Sequence, residues 1–283
     1  MKFGILFNKE NEKAKELFGK IADFLKKQSH DVVDEKNISD SDVIITLGGD
    51  GTLIHKACEH AELGIPFVGI NTGNLGFLTA EEADDWQKAI KKLTKKDYFV
   101  SERITLEANV KSAKAHPRGV PGESQAHLGG GAFRAVNEVV VRGLYRAIDL
   151  EVKVGGEKFL KVLGDGVIVA TQTGSTAYSL SAGGPIVDPD LDSILITPIN
   201  PIGLPIPSAV LSPDDAVEVV LIRGDDISLV LDGQEHTKLS QGDRVKVKSG
   251  KVRIKFIYFD KHQFLKSLNA KFGLSNRSVK DYD

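Results

Sequence analysis

Apolar positions recur in two rhythms along the chain, and the first third holds the longer one. Residues 2–7 form an apolar run of the kind a buried strand presents, and residues 10–28 place Ala14, Leu17, Phe18, Ile21, Phe24 and Leu25 at helical spacing. Val43, Ile44, Ile45, Thr46 and Leu47 predict a second strand, which ends in Gly48-Gly49-Asp50-Gly51. A helix is expected over residues 52–60 and a third strand over 66–70, followed by another glycine-bearing loop. Strand, glycine loop, helix and strand within about thirty residues predict a parallel βαβ unit. Residues 84–93 predict a further helix with Trp86, Ala89, Ile90 and Leu93 inward.

Near Tyr98 the period shortens to two. Ile104, Leu106, Ala108 and Val110 alternate with polar residues, and Ile148, Leu150, Val152 and Val154 repeat the pattern. Gly155-Gly156 predicts a hairpin, and further strands are expected over residues 167–171, 193–197, 216–222, 227–231, 245–248 and 252–259. Gly224-Asp225-Asp226 and Ser249-Gly250 read as turns. One last helix is expected over 262–272. Residues 111–131, rich in Gly, Pro, Ser and His, lack any period and read as a loop. The expected division is an α/β domain over 1–97, a β-rich domain over 98–259, and a tail over 260–283 that packs back on the first domain.

At 283 residues the chain is long enough for two domains. Apolar content of 41% and charged content of 27% are those of a globular protein. No run approaches the roughly 18 apolar residues that span a bilayer, and Lys9 and Glu10 follow the first apolar stretch too soon for a secretory signal. Cys58 is the sole cysteine, so no intrachain disulfide can form. The expectation is a cytoplasmic protein with no membrane partner. A formal charge of −2 argues against a nucleic-acid partner, which would need a strong basic excess on one face.

The chemistry is concentrated in a few polar stretches. In Gly48-Gly49-Asp50-Gly51-Thr52, glycines let backbone N–H groups approach an anion, and the helix start adds partial positive charge. A carboxylate there would repel phosphate. Asp50 therefore reads either as the partner of a hydroxyl or metal, or as a helix cap in a tight turn. The loop Asn71-Thr72-Gly73-Asn74-Leu75-Gly76-Phe77-Leu78-Thr79 follows the next parallel strand, and ligands of open α/β sheets collect at such strand ends. Phe77 is either a stacking residue or an ordinary core phenylalanine.

Far along the chain come Gly164-Asp165-Gly166 and a run of small hydroxyl and glycine residues over 171–185, with Tyr178 inside it. Such a run offers short donors and acceptors to a polar ligand. Asn137 and Glu138 sit within an expected apolar strand, 135–141, where buried polar groups need partners, either a ligand or a neighbouring loop. The chain has no G-x-x-x-x-G-K-[ST] loop, no G-x-G-x-x-G fingerprint, no protein-kinase signature set and no H-E-x-x-H.

Four motifs together, GGDGT at 48–52, NTGNLGFLT at 71–79, NEVVV at 137–141 and TGSTAYSLSAGGPI at 173–186, resemble the NAD kinase family in order and spacing over nearly the whole chain. The first is shared with diacylglycerol-type lipid kinases and more loosely with phosphofructokinases, whereas the third and fourth are more specific. The resemblance implies a fold of α/β plus all-β type. It pairs an N-terminal Rossmann-like α/β domain with a C-terminal β-sandwich domain and puts the active site in the cleft between them.

It also implies phosphorylation by ATP of the 2′-hydroxyl on the adenosine ribose of NAD, giving NADP. Mg²⁺ or another divalent metal would accompany ATP, with no dedicated protein ligand identified. By the same resemblance Asp50 would contact the ribose and act as general base, and Gly48, Gly49, Gly51 and Thr52 would form the loop at the donor phosphates. Phe77 would pack on the adenine, with Asn137 and Ser181 reading it and Thr176 and Ala177 nearby. Glu138, Asp165 and Tyr178 would face the second ribose and the nicotinamide side. A homodimer or homotetramer is implied as well.

Gln172 departs from the family by replacing a proline common in T-P-T-G-S-T-A-Y, a change expected to loosen that turn, and Leu163 stands where many members carry arginine. Two rivals share the first motif or the pocket. A lipid kinase would need a membrane-directed feature such as a basic amphipathic helix, and none is present. A nucleotide sensor would bind without turnover.

Overall fold

The computed structural model describes residues 1–73, 76–113 and 132–273, apart from the side chains of Glu235 and His236. The loop expected over 111–131 lies outside the described residues beyond residue 113. The chain forms two compact units, Met1–Glu102 with Ile254–Asp283, and Arg103–Arg253. Among the described residues no helix is long and apolar enough to cross a membrane.

The first unit contains β1 (Lys2–Phe7), α1 (Glu12–Lys27), β2 (Asp31–Val33), β3 (Val43–Leu47), α2 (Asp50–Glu59), β4 (Phe67–Asn71), β5 (Glu81–Glu82) and α3 (Trp86–Lys95). α1 starts where the Asn11 side chain accepts the Ala14 N–H at 3.1 Å, and it buries Ala14, Leu17, Ile21, Ala22 and Leu25 along one stripe. β2, β1, β3 and β4 run parallel in that spatial order. β3 and β4 are buried throughout, which is why both read as unbroken apolar runs. Leu47 pairs with Ile70, so the loops that leave β3 and β4 emerge side by side at one sheet edge.

β6 (Phe99–Lys111) leads into the second unit. There follow β7 (Ala132–Ala135), β8 (Glu138–Gly143), β9 (Ile148–Val154), β10 (Glu157–Gly164), β11 (Gly166–Thr171), the one-turn α4 (Tyr178–Ser181), β12 (Ile194–Ile199), β13 (Ala209–Leu211), β14 (Val217–Arg223), β15 (Ile227–Leu231), β16 (Gln234–Leu239) and β17 (Arg244–Tyr258). α5 (Gln263–Phe272) then belongs to the first unit. One antiparallel sheet has the order β13-β12-β11-β8-β15-β16. Opposite it, β10, β9, β14 and the first part of β17 pair antiparallel. Val139 and Val141 of β8, Val167 and Val169 of β11, Leu150 and Val152 of β9, and Val217 and Val219 of β14 fill one shared core, as in a β-sandwich. The alternate residues Val140, Ile168 and Ala170 point the other way and are covered by Val187, Tyr178 and Ala182. The fold is thus an α/β unit followed by a mostly-β one, as the resemblance implied.

Two local expectations fail for identifiable reasons. Ser249-Gly250 is no turn: β17 runs straight through it. A Cβ at Gly250 would collide with Thr105 Oγ1, so this glycine permits close strand approach rather than chain reversal. The stretch 135–141 is not one strand either, because the chain bends at Val136-Asn137 between β7 and β8. The N–H groups of that bend are taken by a side chain described below.

Candidate active site

In the first unit the loops after β3 and β4 are joined by one carboxylate. Gly49 caps α2, with its carbonyl accepting the Thr52 and Leu53 N–H groups at 3.0 and 3.2 Å. Asp50 stands in the first turn of that helix but does not cap it. Its carboxylate instead reaches the next loop, where Oδ2 accepts the Phe77 N–H at 2.6 Å, and Oδ1 accepts those of Leu78 and Thr79 at 3.0 and 3.2 Å. Three successive backbone donors fix its position. Asn71 ties the start of the same loop, accepting the Gly73 N–H at 3.1 Å and donating to both Glu82 carboxylate oxygens at 3.1 and 3.0 Å. The half-buried Phe77 ring lies 6.1 Å from that of Phe272, and Lys271 Nζ stands 3.9 Å from the Phe77 ring centroid.

In the second unit the polar run after β11 folds onto the start of β8. Thr171 Oγ1 donates to the Val136 carbonyl at 2.7 Å and accepts the Gly174 N–H at 3.1 Å. Gly174 lies so close to the Asn137 backbone that a Cβ there would stand 2.9 Å from the Asn137 Cα and closer still to its carbonyl. Several hydroxyls of the run serve the protein itself: Ser175 Oγ accepts the Val187 N–H at 3.1 Å, and Ser179 and Thr197 hydroxyls meet at 2.9 Å. Thr176, Ala177 and Tyr178 remain half-buried and Ser181 is exposed. Gln172 does not loosen the turn. It is buried, and its Nε2 donates to Asp192 Oδ1 at 3.1 Å, while Arg253 grips both oxygens of Asp192 at 2.8 and 2.9 Å.

Asn137 and Glu138 are buried, yet Asn137 Oδ1 and Glu138 Oε2 have no hydrogen-bond partner. Burial raises the Glu138 carboxyl to about 8, helped by the nearby Asp232 charge and opposed by the Tyr178 backbone N–H. Asp165 is not brought to this place. Ala170 pairs with Glu138 and Gly166 with Arg142, so Asp165 lies beyond the opposite end of β11, where it accepts the Asn200 amide at 2.8 Å. Asp232 was not singled out in the sequence, where Asp-Gly between two apolar strands signals only a turn.

Residues 7–98 match the ATP-NAD kinase N-terminal domain and residues 136–259 the ATP-NAD kinase C-terminal domain. An NAD kinase of Caldicellulosiruptor saccharolyticus is 36% identical over 273 residues, spanning 95% of this chain and 98% of its own. This chain belongs to the NAD kinase family. An NAD kinase of Fusobacterium nucleatum is 33% identical over 276 residues, with 96% of this chain and 97% of that one covered. Among solved structures, an NAD kinase from Archaeoglobus fulgidus in complex with ATP is 25% identical, with a TM-score of 0.73 over 94% of this chain and 96% of that one. Yeast NADH kinase complexed with NADH shares the fold at 20% identity, with a TM-score of 0.83 over 98% of this chain and 89% of that one.

Within this NAD kinase family member the glycines of the first two motifs sort by cause. A Cβ at Gly48 would collide with the Thr52 side chain, and one at Gly76 with the Asp50 carboxylate, so packing forbids both. Among the described residues a Cβ at Gly49 or Gly51 would meet nothing within 4 Å, so the space beside these two is open. Among the described residues no group of three or more His, Cys, Asp or Glu could hold a metal ion.

Proposed function

We propose that this protein transfers the terminal phosphoryl group of ATP to the 2′-hydroxyl of the adenosine ribose of NAD, producing NADP and ADP. The observation that carries the reading is the Asp50 carboxylate, held by three backbone N–H groups beside two glycines whose surroundings are open. Oδ2 accepts a single N–H, so it retains a lone pair for a substrate hydroxyl. The ribose oxygen attacks the γ-phosphorus, the bond from that phosphorus to the β,γ-bridging oxygen breaks, and the hydroxyl proton passes to Asp50 as general base. Proton acceptance of this kind is typically worth ~10²–10⁴-fold in rate. Most of the remaining work is positioning and neutralising spreading charge.

Gly49, Gly51 and Thr52, at the start of α2, are assigned to the donor phosphates, with Gly48 shaping the turn. Phe77 is assigned to the adenine plane and Asn137 and Ser181 to its edge, with Thr176 and Ala177 beside them. Glu138 and Tyr178 are assigned to the second ribose. Asp165, beyond the other end of β11, is assigned to the nicotinamide side. The chemistry of the donor set fits a divalent metal that arrives on the ATP phosphates rather than one caged by protein, and that ion would neutralise phosphate charge. A homodimer or homotetramer in the cytoplasm completes the reading, and the exposed Ile202 and Leu204 support self-association.

The test is direct. The purified protein is incubated with NAD, ATP and Mg²⁺, and NADP is assayed. NADP formation that requires ATP supports the reading, and NAD binding without any product would make the chain a nucleotide sensor instead.

A further inference from the structure

Asp232 opens the turn between β15 and β16 in the left-handed region, with φ +47°, and Gly233 follows at φ +80°. An aspartate tolerates that conformation better than most residues, and its short side chain can then bond backbone nearby. Here it bonds backbone nearly a hundred positions earlier in the chain. Oδ2 accepts the Val136 N–H at 2.8 Å, and Oδ1 accepts those of Asn137 and Glu138 at 2.7 and 3.1 Å. In return the Asp232 N–H donates to the Glu138 carbonyl at 3.1 Å. This carboxylate is what interrupts the expected strand over 135–141. Three donors that a sheet ladder would use are turned onto one anion.

The consequence falls on the two side chains carried by that bend. Asn137 and Glu138 are 8% and 5% exposed, and each buries an oxygen without a partner. A buried orphan acceptor is costly to keep unless something outside the protein satisfies it. We propose that Asp232 is the positioning residue of the Asn137–Glu138 pair: it touches no substrate, but fixes the bend from which both side chains reach the dinucleotide. The inference rests on the assignment of Asn137 and Glu138 to NAD given above.

Charge gives the same pairing a second role. Burial acts first on the Glu138 carboxyl, and the Asp232 charge adds to it while the Tyr178 backbone N–H opposes it. Three N–H donors favour the Asp232 anion, whereas burial and that anion favour the protonated form of Glu138. Burial also lifts Asp232, to about 6. A neutral Glu138 can donate one hydrogen bond and accept another, which suits a ribose hydroxyl better than an acceptor-only carboxylate.

Asp232→Asn tests this. Asparagine is at home at positive φ and keeps the oxygen that serves Asn137 and Glu138, but it turns an amide toward the Val136 N–H. The Michaelis constant for NAD should rise about tenfold, the worth of one charge-assisted bond. That for ATP and the turnover at saturating NAD should move by less than about threefold, because the interaction serves a part of the substrate that does not react. Asn137→Ala should raise the NAD constant by itself, and in the double variant the two effects should fall short of adding. An Asn137→Ala protein with an unchanged NAD constant would remove the assignment to NAD, and the inference with it. A raised constant in Asn137→Ala but not in folded Asp232→Asn overturns positioning alone. Should Asp232→Asn not fold, a crystal of the wild-type protein with NAD decides. Asn137 Oδ1 and Glu138 Oε2 should touch the ligand and Asp232 should not, and a direct Asp232–ligand bond refutes the positioning role.

Discussion

Gly76 lies so near the carboxylate of Asp50 that a side chain at position 76 would collide with Oδ1 and come within 2.9 Å of Cγ. The glycine of the second motif is therefore required by the aspartate of the first. Backbone N–H groups can close around Asp50 only where no Cβ intervenes.

Gly76→Ala should accordingly displace the carboxylate while leaving the sheet beneath it intact. Circular dichroism should match the parent, and turnover should fall by about a hundredfold, as expected when a reacting group is moved by an ångström. Parent-like turnover in a folded Gly76→Ala protein would show that Asp50 does not need this position.

Asp50→Asn separates chemistry from loop support. The amide keeps one acceptor oxygen for the 77–79 backbone but cannot take a proton. Turnover should fall at least about a hundredfold with NAD still bound, measured by initial rates and by calorimetric titration of NAD. A loss of NAD binding with little loss of rate at saturation would instead make Asp50 a loop anchor.

Gly51→Ala should divide stability from function. The position is in the first turn of α2 with open space beside it, so alanine should stabilise the fold by about 0.5–1 kcal/mol. The Michaelis constant for ATP should rise several-fold if donor phosphates occupy that space. A thermal melt and a rate curve against ATP give the two readouts, and an unaltered ATP constant would take Gly51 out of the phosphate loop.

Glu138 and Asp232 predict how stability varies with pH. Both carboxyls are raised in the folded protein, to about 8 and about 6, from 4.5 and 3.8. Across those windows the folded state holds protons that the unfolded chain has released, so the contribution is complete below about pH 4 and is lost as pH rises toward 8. The slope from one carboxyl is at most about 1.4 kcal/mol per pH unit. Denaturant unfolding of the parent between pH 5 and about 8 should show falling stability, and Glu138→Gln should flatten the curve. A parent whose stability rises over that range contradicts the assignment.

Gln172→Pro should be tolerated. Its φ is −56°, close to the proline value, and it follows the extended residue Thr171, as proline prefers. The bond to Asp192 is lost, but so is a buried carbonyl oxygen without a partner. Stability should stay within about 1 kcal/mol of the parent. A larger drop in a chemical unfolding curve would mean the Asp192 tether matters more than backbone preorganisation.

The glycine-aspartate loop, the loop after β4 and the run after β11 were legible because each needs special backbone or many short polar groups, and composition displays both. Helix α1 was legible from Ala14, Leu17, Ile21 and Leu25, since one buried stripe imposes its period on the chain. Ser249-Gly250 misled because a glycine that admits Thr105 looks the same in sequence as one that turns the chain. The unit divisions, at 102/103 and 253/254, fall inside the continuous strands β6 and β17, where composition does not change.

The amino-acid order alone determined the alternation of strand and helix, the switch to a two-residue period after Tyr98, the four polar motifs and the family they resemble. Local covalent geometry and burial periodicity act over a few residues, so they are written in a few residues. Only the tertiary structure decided that Asp50 would be grasped by the loop of Gly76, and that Asp232 would bend the chain at Asn137 and leave two acceptors unpaired. Carboxylate–amide pairing is set by where distant strands bring their ends, and no local pattern records which N–H groups an aspartate will find.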